Sequence, residues 1–222
     1  MRGNSPDPDL FETVTAATER ALTTVAKVKE ALDITFDTFD NLLQEAVDRV
    51  SALAAEHCNL TSDSVGSAPT FGEETLRATW LMASYHRGPT LLLPWRRPIT
   101  QVTSLTECGV TLTSGTDFLL ADGELVRIRN DRRWDWLIEK VVVEFKAGWA
   151  LPDSVPPNVE ARVIDQIKLD FLTRKRDPSL KSMQVPDLFA ASFATPGSST
   201  VGDSGLLVAL ENALSPYRRI MV

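Results

Sequence analysis

Two histidines and two cysteines are all the imidazole and thiol ligands that 222 residues offer. Cys58 and Cys108 stand far apart, with no Cys-x-x-Cys or Cys/His spacing of the kind that holds zinc. Both are expected as buried free thiols. His86, in Ser84-Tyr85-His86-Arg87-Gly88, has no acidic or histidine partner at ligand spacing and reads as a loop residue. Nothing matches the P-loop or the dinucleotide fingerprint. No metal and no cofactor is therefore expected. Long apolar runs are missing too: no stretch approaches the roughly 18 residues a membrane span needs. The opening Met1 to Asp9 has no apolar run behind its charge, so a secretory signal is not expected and synthesis in the cytoplasm is. Without secretion the sequon Asn59-Leu60-Thr61 means nothing.

What is present is ordinary for a globular protein: 43% apolar and 24% charged residues, enough chain for one domain with extensions. The net charge of −7 is unevenly spread. Residues 1–60 carry eleven acids against five bases, whereas Arg162 to Lys181 is base-rich and includes Arg174-Lys175-Arg176. A protein that grips phosphate is basic over its working face. An acidic chain repels DNA, as the wall of a conduit would.

The first twenty residues, with Pro6 and Pro8 and weak periodicity, predict a loose start running into a helix. Val25, Val28, Ala31 and Leu32 predict a short helix over about 24–32, capped by Thr23 or Thr24. Leu42, Leu43, Ala46, Val47, Val50, Leu53 and Ala54 share one face of a second helix over about 38–57, with Thr38 and Asp40 as N-terminal caps. The period then changes. Strands are predicted at 75–81, 90–93, 99–105, 118–120, 125–128 and 140–145, within an antiparallel unit over about 71–149. Asp122-Gly123 suits a tight hairpin. Pro156-Pro157-Asn158 opens a helix over about 158–175, with Val159, Val163, Ile167 and Phe171 in line. Pro186 to Asp203 reads as a flexible link, followed by a short helix, Leu206 to Leu214. The expected fold is α+β and mainly helical: a small bundle with an inserted antiparallel β unit and an extended C-terminal tail. Residues 1–178 are expected to form the main domain and 179–222 the link, short helix and tail.

Two fragments resemble catalytic motifs of chymotrypsin-like serine proteases: Gly202-Asp203-Ser204-Gly205, and Ala54-Ala55-Glu56-His57-Cys58. The details argue against a hydrolase. Glu56 is inserted, His57 ends an amphipathic helix, Leu206 replaces the second glycine, and only seventeen residues follow Gly205. Asp203 or Ser204 reads instead as a helix cap. Trp134-Asp135-Trp136 suits hairpin packing better than base stacking, and Arg96-Arg97 and Arg132-Arg133 read as solvated loop charges or subunit contacts. No catalytic constellation is expected.

Several segments, in order, resemble the head–tail connector (adaptor) family of long-tailed phages and gene transfer agents. They are Val28-Lys29-Glu30-Ala31-Leu32-Asp33-Ile34, Phe39-Asp40-Asn41-Leu42-Leu43, and Leu92-Leu93-Pro94 followed by Pro98-Ile99-Thr100-Gln101-Val102-Thr103-Ser104-Leu105. Lys140 to Trp149, with its Ala147-Gly148-Trp149 ending, then Val155 to Val159, and finally Leu214-Ser215-Pro216-Tyr217-Arg218-Arg219 complete the series. Residues before Arg20 and from Ser179 to Gly205 match nothing in the family pattern.

The resemblance implies a structural protein and not an enzyme. It implies a self-assembling ring, dodecameric in expectation, beneath the portal protein in the neck of a virion or gene-transfer-agent particle. Such a ring extends the channel for double-stranded DNA, without sequence-specific binding, and docks a stopper, head-closure or tail protein. No membrane partner is implied. Leu214, Tyr217, Arg218 and Arg219 are the expected portal-binding residues, because an orderable peptide with Tyr and Arg suits a hot spot. A stopper or tail terminator is the alternative neck component. A serine hydrolase and a nucleic-acid-binding protein are remote ones.

Overall fold

The computed structural model describes residues 7–62, 66, 68–81, 88–94, 98–121, 123–136, 139–174, 182–185, 189–192 and 206–218, and no side chains between 173 and 205. Among the described residues, eleven strands, four α-helices and one 3-10 turn follow in chain order. They are β1 (Leu10–Thr15), α1 (Val25–Ala31), α2 (Asp40–His57), β2 (Glu74–Leu81), β3 (Thr90–Leu92), β4 (Ile99–Glu107) and β5 (Val110–Thr111). Then come β6 (Phe118–Ala121), β7 (Glu124–Arg129), β8 (Arg132–Arg133), β9 (Lys140–Ala147), α3 (Pro157–Arg174), β10 (Ser182–Val185), β11 (Phe189–Ser192), α4 (Val208–Leu214) and the 3-10 turn Ser215–Tyr217. The expectation of a mainly helical protein is wrong: helix and strand take nearly equal shares, 31% and 32%. Four helices of seven to eighteen residues are balanced by strands that run longer than the apolar stretches suggest, and by five strands not expected at all.

The chain divides into two compact units, each drawn from two separate stretches. Unit 1 is Met1–Glu19 with Leu60–Ala150, and unit 2 is Arg20–Asn59 with Leu151–Val222.

Unit 1 is a β structure. An antiparallel five-stranded sheet has the order β1-β2-β9-β4-β5, and a smaller sheet has the order β3-β7-β6 with β8 paired to β7. β9 sits at the centre of the larger sheet because its alternation is complete: Val141, Val143, Phe145 and Ala147 are buried, while Lys140, Val142, Glu144 and Lys146 face away. Both sheets contribute to one apolar core, with Leu76, Trp80, Leu105, Val143 and Phe145 from the larger and Leu91, Phe118 and Leu125 from the smaller. Fully burying side chains of this size is worth about 1.5–3 kcal/mol each. Along the other face a ladder of charge crosses three strands, where Arg77 binds Glu144 on β9 and Glu12 on β1, each at 2.6 Å. β1 replaces the loose, helix-bound start expected for this stretch. Its register, Phe11 opposite Ala78, inserts one aromatic side chain into the core, and its pairing partner lies some sixty residues away, where local periodicity does not reach.

The hairpins explain the smaller strands. Ala121 pairs with Glu124 and Gly123 has φ +83°, at the position of the expected Asp122-Gly123 hairpin, of which Asp122 lies outside the described residues. Cys108 and Gly109 close β4–β5, and Asn130 and Asp131 close β7–β8. All four have positive φ, the requirement of the turn that matches strand twist. Cys108 is consequently half-buried in a turn and not the buried thiol expected. At the end of β9, Gly148 at φ +114° lets the backbone approach Gly72 closely. The Trp149 N–H donates to the Phe71 carbonyl at 2.6 Å, and the Phe71 and Trp149 rings stack 4.7 Å apart.

Unit 2 is the helical bundle, with a separate β10–β11 hairpin. Val159, Val163, Ile167 and Phe171 of α3 are buried at four-residue steps, as expected, against Leu43, Val47, Val50 and Ala54 of α2 and Val28 of α1. Thr24 caps α1, its hydroxyl accepting from the Lys27 N–H. Thr38 does not cap α2. Phe39 occupies that position without a side-chain bond, and Asp40 is instead tied to Lys29 at 2.9 Å. Lys27–Glu160 at 2.7 Å and Arg49–Asp170 at 2.6 Å lace α1 and α2 to α3 at the surface. Each is worth at most about 1 kcal/mol there. The segment read as a flexible link contains β11, which pairs antiparallel with β10, Val185 opposite Phe189.

Candidate functional site

The expected partner-binding segment begins inside unit 2. Leu206, Leu210 and Leu214, spaced by four, are all fully buried, and the Leu207 N–H donates to the buried Gln166 of α3 at 2.7 Å. Leu214 therefore serves the interior of its own unit, and its carbonyl accepts a long contact, 3.8 Å, from the Cys58 thiol at the end of α2. Pro216 follows at the start of the 3-10 turn, where its missing N–H costs nothing. Tyr217 emerges half-buried and Arg218 exposed, its N–H bonded back to the Ser215 carbonyl at 3.3 Å. Arg219 lies outside the described residues. Of the four expected residues, Tyr217 is thus half-buried and Arg218 exposed, next to a base whose leucines, Leu214 included, are buried.

The electrostatics around the base are mild. Burial pushes the Cys58 thiol up to about 12, against the opposing pull of Arg218. Cys58 is thus a protonated structural thiol, not a nucleophile. Burial also lowers the pKa of His57; the nearby Glu211 carboxylate opposes this and Arg218 adds to it. His57 ends α2, as expected, in a helical setting. Asp203, Ser204 and His86 lie outside the described residues, as do Arg96 and Arg97.

Two exposed features stand out, the first where hairpin packing and loop or subunit-contact arginines were expected, the second where nothing was. Trp136 is buried in the core of unit 1, but Trp134 is 47% exposed with the Arg129 guanidinium 5.3 Å from its ring centroid. Arg132 and Arg133 are exposed beside it, in a strand and not a loop. In unit 2, the break between α1 and α2 presents Phe36, which is 53% exposed. Its ring leads through Phe39 (5.7 Å) to Phe171 (5.4 Å, edge-on), beside the exposed Leu172. The signal was available: an aromatic residue set between Asp33 and Asp37 in a helix break is poorly placed for a core.

No family model and no curated protein matches the chain. Solved structures do. A chain from the neck of an empty gene-transfer-agent particle, computed with C6 symmetry, aligns over 96% of this chain and 97% of its own, with TM-score 0.53 and 18% identity. A chain from the virion of a native gene transfer agent particle aligns over 96% of both, with TM-score 0.52 and 15% identity. No helix among the described residues is long and apolar enough to cross a membrane. At these identities the likeness is one of fold, and it runs from end to end: this chain has the fold of chains found in gene-transfer-agent particles, one of them in the neck.

Proposed function

We propose that this protein is a structural subunit of the neck of a tailed-phage-like or gene-transfer-agent particle, a head–tail connector. It assembles as a ring, dodecameric in expectation, under the portal, extends the DNA channel and docks a stopper or tail protein. The observation that carries the reading is the fold shared over nearly the whole chain with a gene-transfer-agent neck chain. The ordered motifs support it independently, and they fall on defined elements: Lys140 to Trp149 is β9 with its glycine turn, and Val155 to Val159 opens α3. A ring wall makes and breaks no bonds, and its acidic surface keeps passing DNA from adhering. Tyr217, Arg218 and Arg219, held by the buried Leu214, are the proposed portal contacts.

The β sandwich of unit 1 favours one second reading, a stopper or tail terminator, since those neck components are richer in strand. Electron microscopy of the protein mixed with the portal protein of the same particle separates the two. A collar on an intact portal supports the connector. An intact portal without a collar moves the assignment to another neck component. Deleting residues 215–222 is expected to abolish the collar, and a collar that survives this deletion removes the proposed portal contact.

A further inference from the structure

The two exposed features complement each other. In the β7–β8 tip, the turn at Asn130 and Asp131 fixes Arg132 directly opposite Arg129, so the tip is a stiff stalk and not a loose loop. Arg132 and Arg133 have no ion-pair partner among the described residues, and Trp134 exposes nearly half its surface. Three arginines outweigh Asp131 and Asp135 there, in a chain whose net charge is −7. The α1–α2 corner is the reverse. Glu30, Asp33, Asp37 and Asp40 stand against Lys29, which binds both Asp37 and Asp40. Between them Phe36 and Leu172 are more than half exposed.

We infer that these surfaces are the two halves of one contact between successive copies of this chain. The β7–β8 tip of one copy seats on the acidic aromatic corner of the next. This rests on the ring reading above and names the surfaces that close the ring. A contact between two different patches generates a ring or a filament, and every copy carries one patch of each kind. Trp and Arg are the residue types that dominate interface energetics, and Phe36 offers Trp134 an apolar face. Carboxylates opposite Arg132 and Arg133 set register and disfavour like-with-like pairing. Duplex DNA is the poorer occupant of the tip: phosphate binding needs a broad cationic face, and this tip carries two aspartates in an acidic chain.

The test uses full-length protein in a Cys108→Ser background, Cys58 being buried. One sample carries Thr35→Cys at the corner and a second Asp135→Cys at the tip. They are mixed, with and without portal, and treated with a bismaleimide. A band of twice the subunit mass is expected only in the mixture. The Arg132→Glu/Arg133→Glu double variant of the tip sample should lower it by about tenfold or more. Asp33→Arg/Asp37→Arg in the corner sample should restore it. Collars that form without the mixed band, or that the arginine reversals leave intact, overturn this inference while the connector reading stands. No collar but a mixed band in free protein removes the connector reading and keeps this contact. Neither collar nor band removes both. Salt-dependent binding of a short duplex DNA by the wild-type protein, lost in the arginine reversals, reassigns the tip to nucleic acid.

Discussion

Replacing Gly148 with alanine should cost unit 1 far more than one methyl group suggests. The backbone there sits at φ +114°, where a Cβ costs about 1–2 kcal/mol. A Cβ built on Gly148 would also overlap the Gly72 carbonyl and crowd the Glu73 nitrogen, both backbone atoms that cannot rotate away. Overpacking of this kind adds about 1–3 kcal/mol, for a total of about 3 kcal/mol or more. Gly115 is the control: its φ is +82°, yet nothing lies within 4 Å of its Cβ position. Gly115→Ala should therefore carry the backbone cost alone. The assay is urea unfolding followed by tryptophan fluorescence. All five tryptophans (80, 95, 134, 136 and 149) belong to unit 1, so the signal reports that unit specifically. With a slope of about 2 kcal/mol per molar, Gly148→Ala should lower the midpoint by about 1 M more than Gly115→Ala. Equal midpoints for the two variants would refute the close-approach argument.

Arg127 pairs with Glu107 at 3.1 Å, with Glu107 only 3% exposed, so Arg127→Met should remove a cation that faces a buried carboxylate and destabilise unit 1 by about 3 kcal/mol. Adding Glu107→Gln should recover a large part, read from the same urea midpoint. Burial lowers the pKa of His57, so the folded protein takes up this proton at a lower pH than the unfolded chain, which protonates near 6.5. Stability is thus unaffected above that value and falls as pH drops below it, because the unfolded state binds the extra proton. His57→Gln should flatten the decline in thermal midpoint between roughly pH 7 and 5. Tyr217→Ala with Arg218→Glu should abolish portal binding measured by co-sedimentation and leave the circular dichroism of the free protein unchanged, since both side chains lie outside the buried leucine row.

How much was legible follows from how each element earns its stability. α2 and α3 announce themselves because burial against neighbours imposes a period that eighteen residues repeat many times over. β2, β4 and β9 were readable for the same reason at period two. β1 was not: in Leu-Phe-Glu-Thr-Val-Thr only Phe11 is deeply buried, and the strand is made by its pairing with β2. β5 and β8 have two residues each, too few for any pattern, and exist because their turns adopt positive φ. Those omissions, and the uncounted ends of the longer strands, produced the helical bias. Cys108 was misjudged because cysteine is commonly buried, and its role as the first residue of a turn is visible only from the pairing of Glu107 with Val110. Among the expected partner residues, Leu214 carried two signals at once. Its spacing from Leu206 and Leu210 was the truer guide to where it points.

The interleaving of the two units also sets an order of events during synthesis. α1 and α2 leave the ribosome early, but α3, the helix they pack against, starts about a hundred residues later, at Pro157. At 5–20 residues per second that is an interval of roughly 5–20 seconds. Throughout it Leu43, Val47 and Val50 lack the surface that will bury them. The whole of unit 1, by contrast, can complete itself in that gap, since its final strand precedes α3. Its strands are therefore expected to close first and to hold the two ends of the helical unit's missing middle together, so that α3 arrives at a loop already shortened. A nascent chain arrested once β9 has left the ribosome should show a protease-resistant β unit with a cleavable insertion at α1 and α2, and one that extends past Tyr217 should resist over both units.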